Sequence, residues 1–424
     1  MSEKQLYVKK GNLFIFACFL MIAFMMASKL VYTASMVEIL DVFQMTEDVF
    51  ALGPAIYYII YAIVQLLLSV FIFKINIKRY LVISTALSCV VTALLALSTG
   101  ITYFCIVLAI NGIIQAGIWA CCMYFLSKHL PTSMLPKANT LMTCGFPTGT
   151  IISYAISSLC VALGKWWLSF VVVGVLFALV LVFFVVTLKD LEKMPVHLAG
   201  EIDKDFRQDK QGVSTVKLSK GEDLVSLNRK PTKVLYYALV GVVCFMVYNV
   251  YASVVDWIPK MLSDVYELDN SLAILFSIVV PIGVIFGPIV IINLCERFSN
   301  YYMVSFVGCL VMVAISATVY FVYGVNFILA LIVLVAFALL SRAVCSVYET
   351  VIVSKMQNQI NAGSFAAFTN ATASFGAAAS PLIMGNSVLK GWSFTYGFLL
   401  AECVFMAVLI SLFLIFFVKT IKTK

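Results

Sequence analysis

Charge is what this chain has least of: Asp, Glu, Lys and Arg make up 11% of its 424 residues, against 63% hydrophobic residues and a mean hydropathy of +1.07. A soluble domain of this length needs a far more polar surface, so that class is excluded. Histidine is scarcer still. His129 and His197 stand apart with no second ligand near either, which gives no metal site. Also missing are a nucleophile elbow, a phosphate-cradling glycine loop and a Walker motif, and with them an ATP-driven pump or a membrane enzyme. The twelve cysteines fall in or at the ends of apolar stretches, Cys121 and Cys122 side by side, in no spaced metal or redox pattern. They read as small apolar packing residues, and no cofactor is called for.

What is present is apolar length. Twelve stretches are each long enough to cross a hydrocarbon core of roughly 30 Å as a helix. The first six run from Leu13 to Val37, Val49 to Phe73, Leu81 to Thr99, Ile101 to Leu126, Ala138 to Leu163 and Trp166 to Leu188. The second six run from Val234 to Ile258, Leu272 to Leu294, Tyr301 to Tyr323, Phe327 to Val353, Ala362 to Val388 and Phe394 to Val418. The expected fold is an all-α membrane protein of two pseudo-symmetric six-helix bundles, residues 1–188 and 234–424, joined by a mixed-charge cytoplasmic linker at 189–233. Lys4, Lys9 and Lys10 lie too close to a full-length first span for a cleaved signal.

The few basic residues set the orientation. With the N-terminus inside, outward loops hold only Lys165, Lys260 and Lys390, and Lys29 and Arg342 lie within spans; the rest of the 28 Lys and Arg fall in tails and inward loops. Both termini are therefore expected on the cytoplasmic side of a plasma (inner) membrane. The net charge of +8 follows from this asymmetry and needs no nucleic-acid partner. Outer loops are acidic instead, with Asp41, Glu47, Asp48, Asp264, Glu267 and Asp269.

An ionisable side chain inside a span costs about 2.5–3.5 kcal/mol on insertion scales, so each one that remains is a functional candidate. Lys29, Arg342, Glu349 and Glu402 are in this position. Glu349 follows Arg342 by seven residues on nearly the same helical face, so a buried ion pair between them is the structural alternative to solute binding. Polar residues also repeat at helical spacing: Tyr57, Tyr61, Gln65 and Ser69 on the second span, and Asn111, Gln115 and Trp119 on the fourth. On the seventh, Tyr248 and Tyr251 share one face and Asn249 and Asp256 another, and the eleventh offers Asn370 and Ser374. Such stripes suit a cavity lining, with helix-to-helix hydrogen bonding as the alternative for any one member. Pro147 in the fifth span and Pro381 in the eleventh mark places where a span can bend, and the eighth carries Pro281 and Pro288.

Three runs carry a family resemblance. Asp256, Trp257, Ile258, Pro259, Lys260, Met261 and Leu262 resemble the D-W-x-P-x-x-L signature of the organophosphate:phosphate antiporter branch of the major facilitator superfamily. Gly112 to Trp119, with Gln115, resembles that branch's G-x-x-Q-G-x-G-W run, and Ala362 to Gly376 its small-residue eleventh helix. The resemblance implies the major facilitator fold. It places Lys29 at a substrate-phosphate arginine and Tyr61, Trp119 and Tyr248 at cavity aromatics, while Gln65, Phe146 and Tyr251 replace a lysine, a histidine and a second phosphate-binding arginine. Phe73 stands where the superfamily's gating aspartate sits, and Glu296 and Arg297 keep an acid-base pair in the equivalent second-half loop.

These readings converge on a secondary transporter of a small organic solute, a monomer in lipid, with protons or a counter-anion as the coupling partner. A clamp of Lys29 and Arg342 from opposite bundles favours an organic anion such as a carboxylate. Tyr61, Gln65, Trp119, Tyr248, Tyr251 and Asn370 complete the expected binding set, Glu349 and Glu402 the proton-coupling set, and Pro147, Asp256, Glu296, Arg297 and Pro381 the gating set. Two other readings stay open: an efflux carrier of a neutral or cationic amphiphile, and a transporter-like metabolite sensor.

Overall fold

Apolar backbone in lipid has no water to bond, so it must satisfy its own N–H and C=O groups, and helices do this within each segment. The computed structural model describes residues 3–71, 76–195, 198, 201–202, 230–298, 300–352 and 362–422, and each expected span has helix among its described residues. Phe73, His197 and most of the expected linker lie outside the described residues.

Helices Glu47–Phe71, Leu135–Ala162 and Leu168–Glu192 form the second, fifth and sixth spans as unbroken rods. The third, Ile77–Leu94, the ninth, Tyr301–Val322, and the tenth, Phe327–Ser346, each start at an asparagine. In all three the Asn side chain accepts the amide of the residue three further on, a cap that satisfies one orphan donor of the first turn. The twelfth runs Trp392–Lys422.

Four spans are interrupted. The first, Glu3–Ala34, begins well before its expected start, breaks at Ser35 and resumes as Met36–Phe43, past its expected end, closing on Gln44 in the left-handed region at φ 49°. The fourth breaks between Ile101–Gln115 and Ile118–His129. The seventh breaks between Lys230–Val255 and Ile258–Tyr266. The eighth divides into Asn270–Ser277, Val279–Val284 and Phe286–Phe298, where Pro281 and Pro288 deny donors to the carbonyls of Ser277 and Val284. Pro147 and Pro381, by contrast, sit inside helices that continue through them.

Eleven helices among the described residues are long and apolar enough to cross a membrane. The eleventh span, Ala362–Val388, is not one of them despite its 27 residues. Its Ala, Gly, Ser, Thr and Asn lower its hydropathy because they serve close contact, not lipid. It packs along the second and seventh spans. A Cβ on Gly385 would lie 2.7 Å from the Glu47 carbonyl oxygen and 3.0 Å from Ala51, so only glycine fits there. The sixth span is the opposite case: it is the most apolar of these helices and less than half of it is buried within the protein, the profile of a helix facing lipid.

Buried side chains gather in three main clusters. One, from Tyr236 to Ile410, contains only second-half residues, and another, from Tyr7 to Leu198, only residues before 199. The third crosses the seam, joining Tyr32, Phe50, Tyr57 and Phe104 to Trp257, Ala377, Ala378 and Met384. Contacts between the halves come from the second span on the eleventh, the fifth on the eighth, and Met36–Phe43 on Ile258–Tyr266. They are concentrated at the end that carries the acidic loops.

Candidate functional site

Lys29 lies five residues before the first helix ends at Ala34. Its Nζ sits 4.0 Å from the ring centroid of Tyr58, 5.5 Å from Tyr57 and 5.7 Å from Tyr61. Tyr58 is eleven residues into the second helix, about 16 Å of rise from its start, so the ammonium is deep in the membrane. A desolvated cation over aromatic faces gains about 2 kcal/mol, which offsets part of its burial cost. Among the described residues no carboxylate comes within ion-pair distance of Nζ. Asp256 is the nearest in effect, within electrostatic range but not in contact.

Asp256 is placed there by the break in the seventh span. The helix ends at Val255, Pro259 opens the next one in its first turn, and Trp257 is buried in the seam cluster. Tyr154 of the fifth span donates its hydroxyl to the Val255 carbonyl at 2.8 Å, satisfying an acceptor that the break frees. Asp256, expected among the gating residues, lies within electrostatic range of Lys29. Its expected companion Asn249 turns elsewhere, donating Nδ2 to Glu402 Oε1 at 2.8 Å.

The second cation is held differently. Arg342, 7% exposed, donates from Nη1 to the Tyr248 hydroxyl at 3.0 Å and pairs with Glu349 Oε2 at 3.1 Å. Glu349 projects from a π-helical turn, Val347–Val351, that ends the α-helical part of the tenth span. Arg342 is therefore not a free clamp jaw. Tyr248 meets Tyr251 edge-on at 6.0 Å, and Tyr58 lies within electrostatic range of Tyr248, Tyr251 and Asp256. A tyrosine wall thus runs across the seam from Lys29 to Arg342, with one cation at each end.

Around this wall, Tyr61 stacks on Tyr57 at 5.9 Å, and Trp119 leans on Phe146 at 4.9 Å. Gln65, one turn beyond Tyr61, has a buried Oε1 with no hydrogen-bond partner. Asn370 is half-buried on the eleventh span, and its carbonyl accepts the Ser374 hydroxyl at 2.9 Å.

Two expected linings are corrected. Gln115 and Asn111 face a buried network inside the first half: Gln115 accepts from Tyr57 at 2.6 Å and donates to Ser28 at 2.5 Å and Ser88 at 2.8 Å, while Ser88 donates to Asn111 Oδ1 at 2.9 Å. Both residues are fully buried, and the stripe is helix-to-helix bonding. Glu402 lies on the twelfth span, which packs on the seventh, ninth and eleventh, apart from the Lys29 wall. Glu296 and Arg297 are exposed at the end of the eighth span, Arg297 5.9 Å from the Phe298 ring.

The sequence reading missed a charged latch between the halves at the acidic end. Lys260 bridges Glu47 at 3.1 Å and Asp264 at 2.7 Å, and Asp264 accepts from Trp392 at 3.1 Å. Burial works against the Lys260 charge, yet Asp264 and Glu47 outweigh it and hold the ammonium above the ordinary lysine range. Beside it Asn270 donates to Glu38 at 2.9 Å and Asp41 at 3.1 Å, and Ser158 donates to the Ser271 carbonyl at 2.8 Å. Lys260, one of three outer lysines among six outer acids, four residues before Asp264, was the available signal.

Multi-pass helical halves closing over a buried polar seam define a membrane carrier. The Major Facilitator Superfamily model matches residues 14–381, and the chain belongs to that family: it is a transporter working by alternating access, not an enzyme. No curated protein matches it in sequence. Solved structures similar to it include a bacterial homolog of the human lysosomal transporter Spinster, inward-facing and occupied, at 14% identity and TM-score 0.66 over 97% of this chain and 96% of that one. The same homolog, inward-facing and unoccupied, aligns at 14% identity and TM-score 0.67 over 95% of each chain. A D-xylose-proton symporter aligns at 14% identity and TM-score 0.68 over 95% of this chain and 97% of that one. At this identity the likeness shows the fold alone.

Proposed function

We propose that the chain carries a small organic anion, a carboxylate first of all, between its two halves. One observation carries this reading: the Lys29 ammonium is deep in the membrane, ringed by tyrosines and without a carboxylate in ion-pair contact, so an entering anion can take the contact position that Asp256 leaves open. The tyrosine wall supplies apolar surface and hydroxyls to an organic body, and Arg342 offers a second set of donors from the other half. The resemblance to the organophosphate antiporters breaks at Gln65, Phe146 and Tyr251, which replace a lysine, a histidine and a phosphate-binding arginine, and this favours carboxylate over phosphate. The basic bias of the terminal end supports cytoplasmic termini in the plasma membrane, closure at the acidic end then corresponds to an inward-facing state, and we take the carrier to be a monomer.

The test is thermal stability of the purified protein with lactate, gluconate, succinate, benzoate and glucose 6-phosphate. A ligand at a hundred times its dissociation constant stabilises the folded state by about 2.7 kcal/mol. At least one carboxylate is expected to raise the melting temperature of the wild type and not of Lys29→Gln. Equal shifts in both proteins would overturn the anion reading.

A further inference from the structure

The Arg342–Glu349 pair poses a question that an anion site alone does not answer: how a solute carboxylate reaches a guanidinium already holding one. Counting charges at the seam gives Lys29 and Arg342 against Asp256 and Glu349, a balanced set, with Glu402 apart on the twelfth span. A monoanion added to that set leaves one uncompensated negative charge in a low-dielectric site, which is costly enough to demand a compensating cation.

We propose that Glu349 is an internal counter-anion which the solute displaces from Arg342, and that it leaves by taking up one proton, so that a monocarboxylate crosses with one proton and no net charge. This rests on the anion reading above. The Arg342 N–H donors pass from a Glu349 oxygen to a solute carboxylate oxygen; the only covalent change is the O–H bond formed on Glu349 with a proton from solvent, returned when the solute leaves.

Geometry selects Glu349 over Asp256. Glu349 touches its cation at 3.1 Å and must move for a carboxylate to bind there, whereas Asp256 is not in contact with Lys29 and need not. The π turn that carries Glu349 is a local departure from α register, so relaxing it moves the side chain without unfolding the span. The groups that face Glu349 are Arg342 and Cys345 of its own span and Cys244, Tyr248 and Tyr251 of the seventh. Of the other spans packed on the turn, the ninth brings Cys309 near Cys345, the ninth and eleventh carry no charged residue, and the eighth carries only the exposed Glu296 and Arg297. No other carboxylate competes for Arg342 among the described residues.

The experiment uses the full chain in lipid vesicles with labelled lactate and gluconate, protein-free vesicles giving the leak. A one-unit pH gradient is expected to drive about tenfold accumulation in the wild type, unchanged by clamping the membrane potential. A pH dye in weakly buffered vesicles should count one proton per anion, a readout that needs no variant. Glu349→Gln should lose the gradient-driven accumulation, its ratio falling to about one, while still exchanging internal for external anion; Asp256→Asn should keep one proton per anion at a lower rate. Tenfold accumulation by Glu349→Gln, a transport rate in the wild type that follows the potential, or loss of the proton from Asp256→Asn alone would overturn the displacement mechanism while leaving the anion reading intact. If lactate, gluconate, succinate and benzoate neither bind nor move, the anion reading fails and this mechanism with it.

Discussion

The two halves bury a cation by opposite means. The first half surrounds Lys29 with the faces of Tyr57, Tyr58 and Tyr61 and leaves it without a direct counter-ion, while the second holds Arg342 between Glu349 and the Tyr248 hydroxyl. An aromatic cage lowers the cost of a cation without neutralising it, so the site keeps its attraction for an anion. A paired guanidinium is neutralised, and its attraction becomes available only when its partner leaves. One half thus offers a standing charge and the other a conditional one, a division of labour a symmetric pair of free cations would not give.

Removing a partner should separate the two most sharply. Glu349→Ala strands a buried guanidinium and is expected to cost about 3–5 kcal/mol, read as a large fall in melting temperature in detergent. Lys29→Gln strands no ion pair, so stability should hold, while anion binding falls by about 2–3 kcal/mol, on the order of 30- to 150-fold. If Lys29→Gln unfolds the protein and Glu349→Ala does not, the contrast between caged and paired cations is reversed.

A smaller effect belongs to the polar network behind the cage. Gln115→Ala removes three hydrogen bonds and leaves Tyr57, Ser28 and Ser88 with fewer partners in a fully buried place. About 1–3 kcal/mol of stability should be lost, with anion binding changed far less than in Lys29→Gln. Binding lost as deeply as in Lys29→Gln at unchanged stability would put Gln115 back among the lining residues.

That last pair shows what periodicity can and cannot tell. Eleven spans were legible because hydropathy over a membrane thickness is a property of runs, the small-residue eleventh helix through its long uncharged stretch, and Lys29 and Arg342 because charge inside such runs is rare. The stripe Asn111–Gln115 was legible as a face, but nothing in its spacing says whether that face meets water or another helix. Asn249 and Asp256, seven residues apart, would share a face on a continuous helix. The helix ends at Val255, so one goes to Glu402 and the other to the Lys29 wall. Tyr58 escaped notice because the stripe of fours runs through Tyr57 and Tyr61, yet it makes the closest approach to Lys29.

The smallest predicted effect concerns not the cations but the latch that keeps their wall shut on one side. Lys260 reaches across the halves to Glu47 from a side chain only 15% exposed, while Asp264 holds it from its own helix and Trp392 holds Asp264. Its loss leaves the neighbouring bridge of Asn270 to Glu38 and Asp41 in place, and partly exposed pairs are worth little singly. Lys260→Ala should therefore favour opening of the acidic end by about 1 kcal/mol, roughly a fivefold change in the ratio of the two facing states. A thiol reagent directed at Ala51→Cys, buried beneath the latch against Gly385, should label about fivefold faster once Lys260 is removed, in a background free of other reactive thiols. Labelling at the same rate would show that apolar packing of the second span on the eleventh, not the charged latch, sets which side is closed.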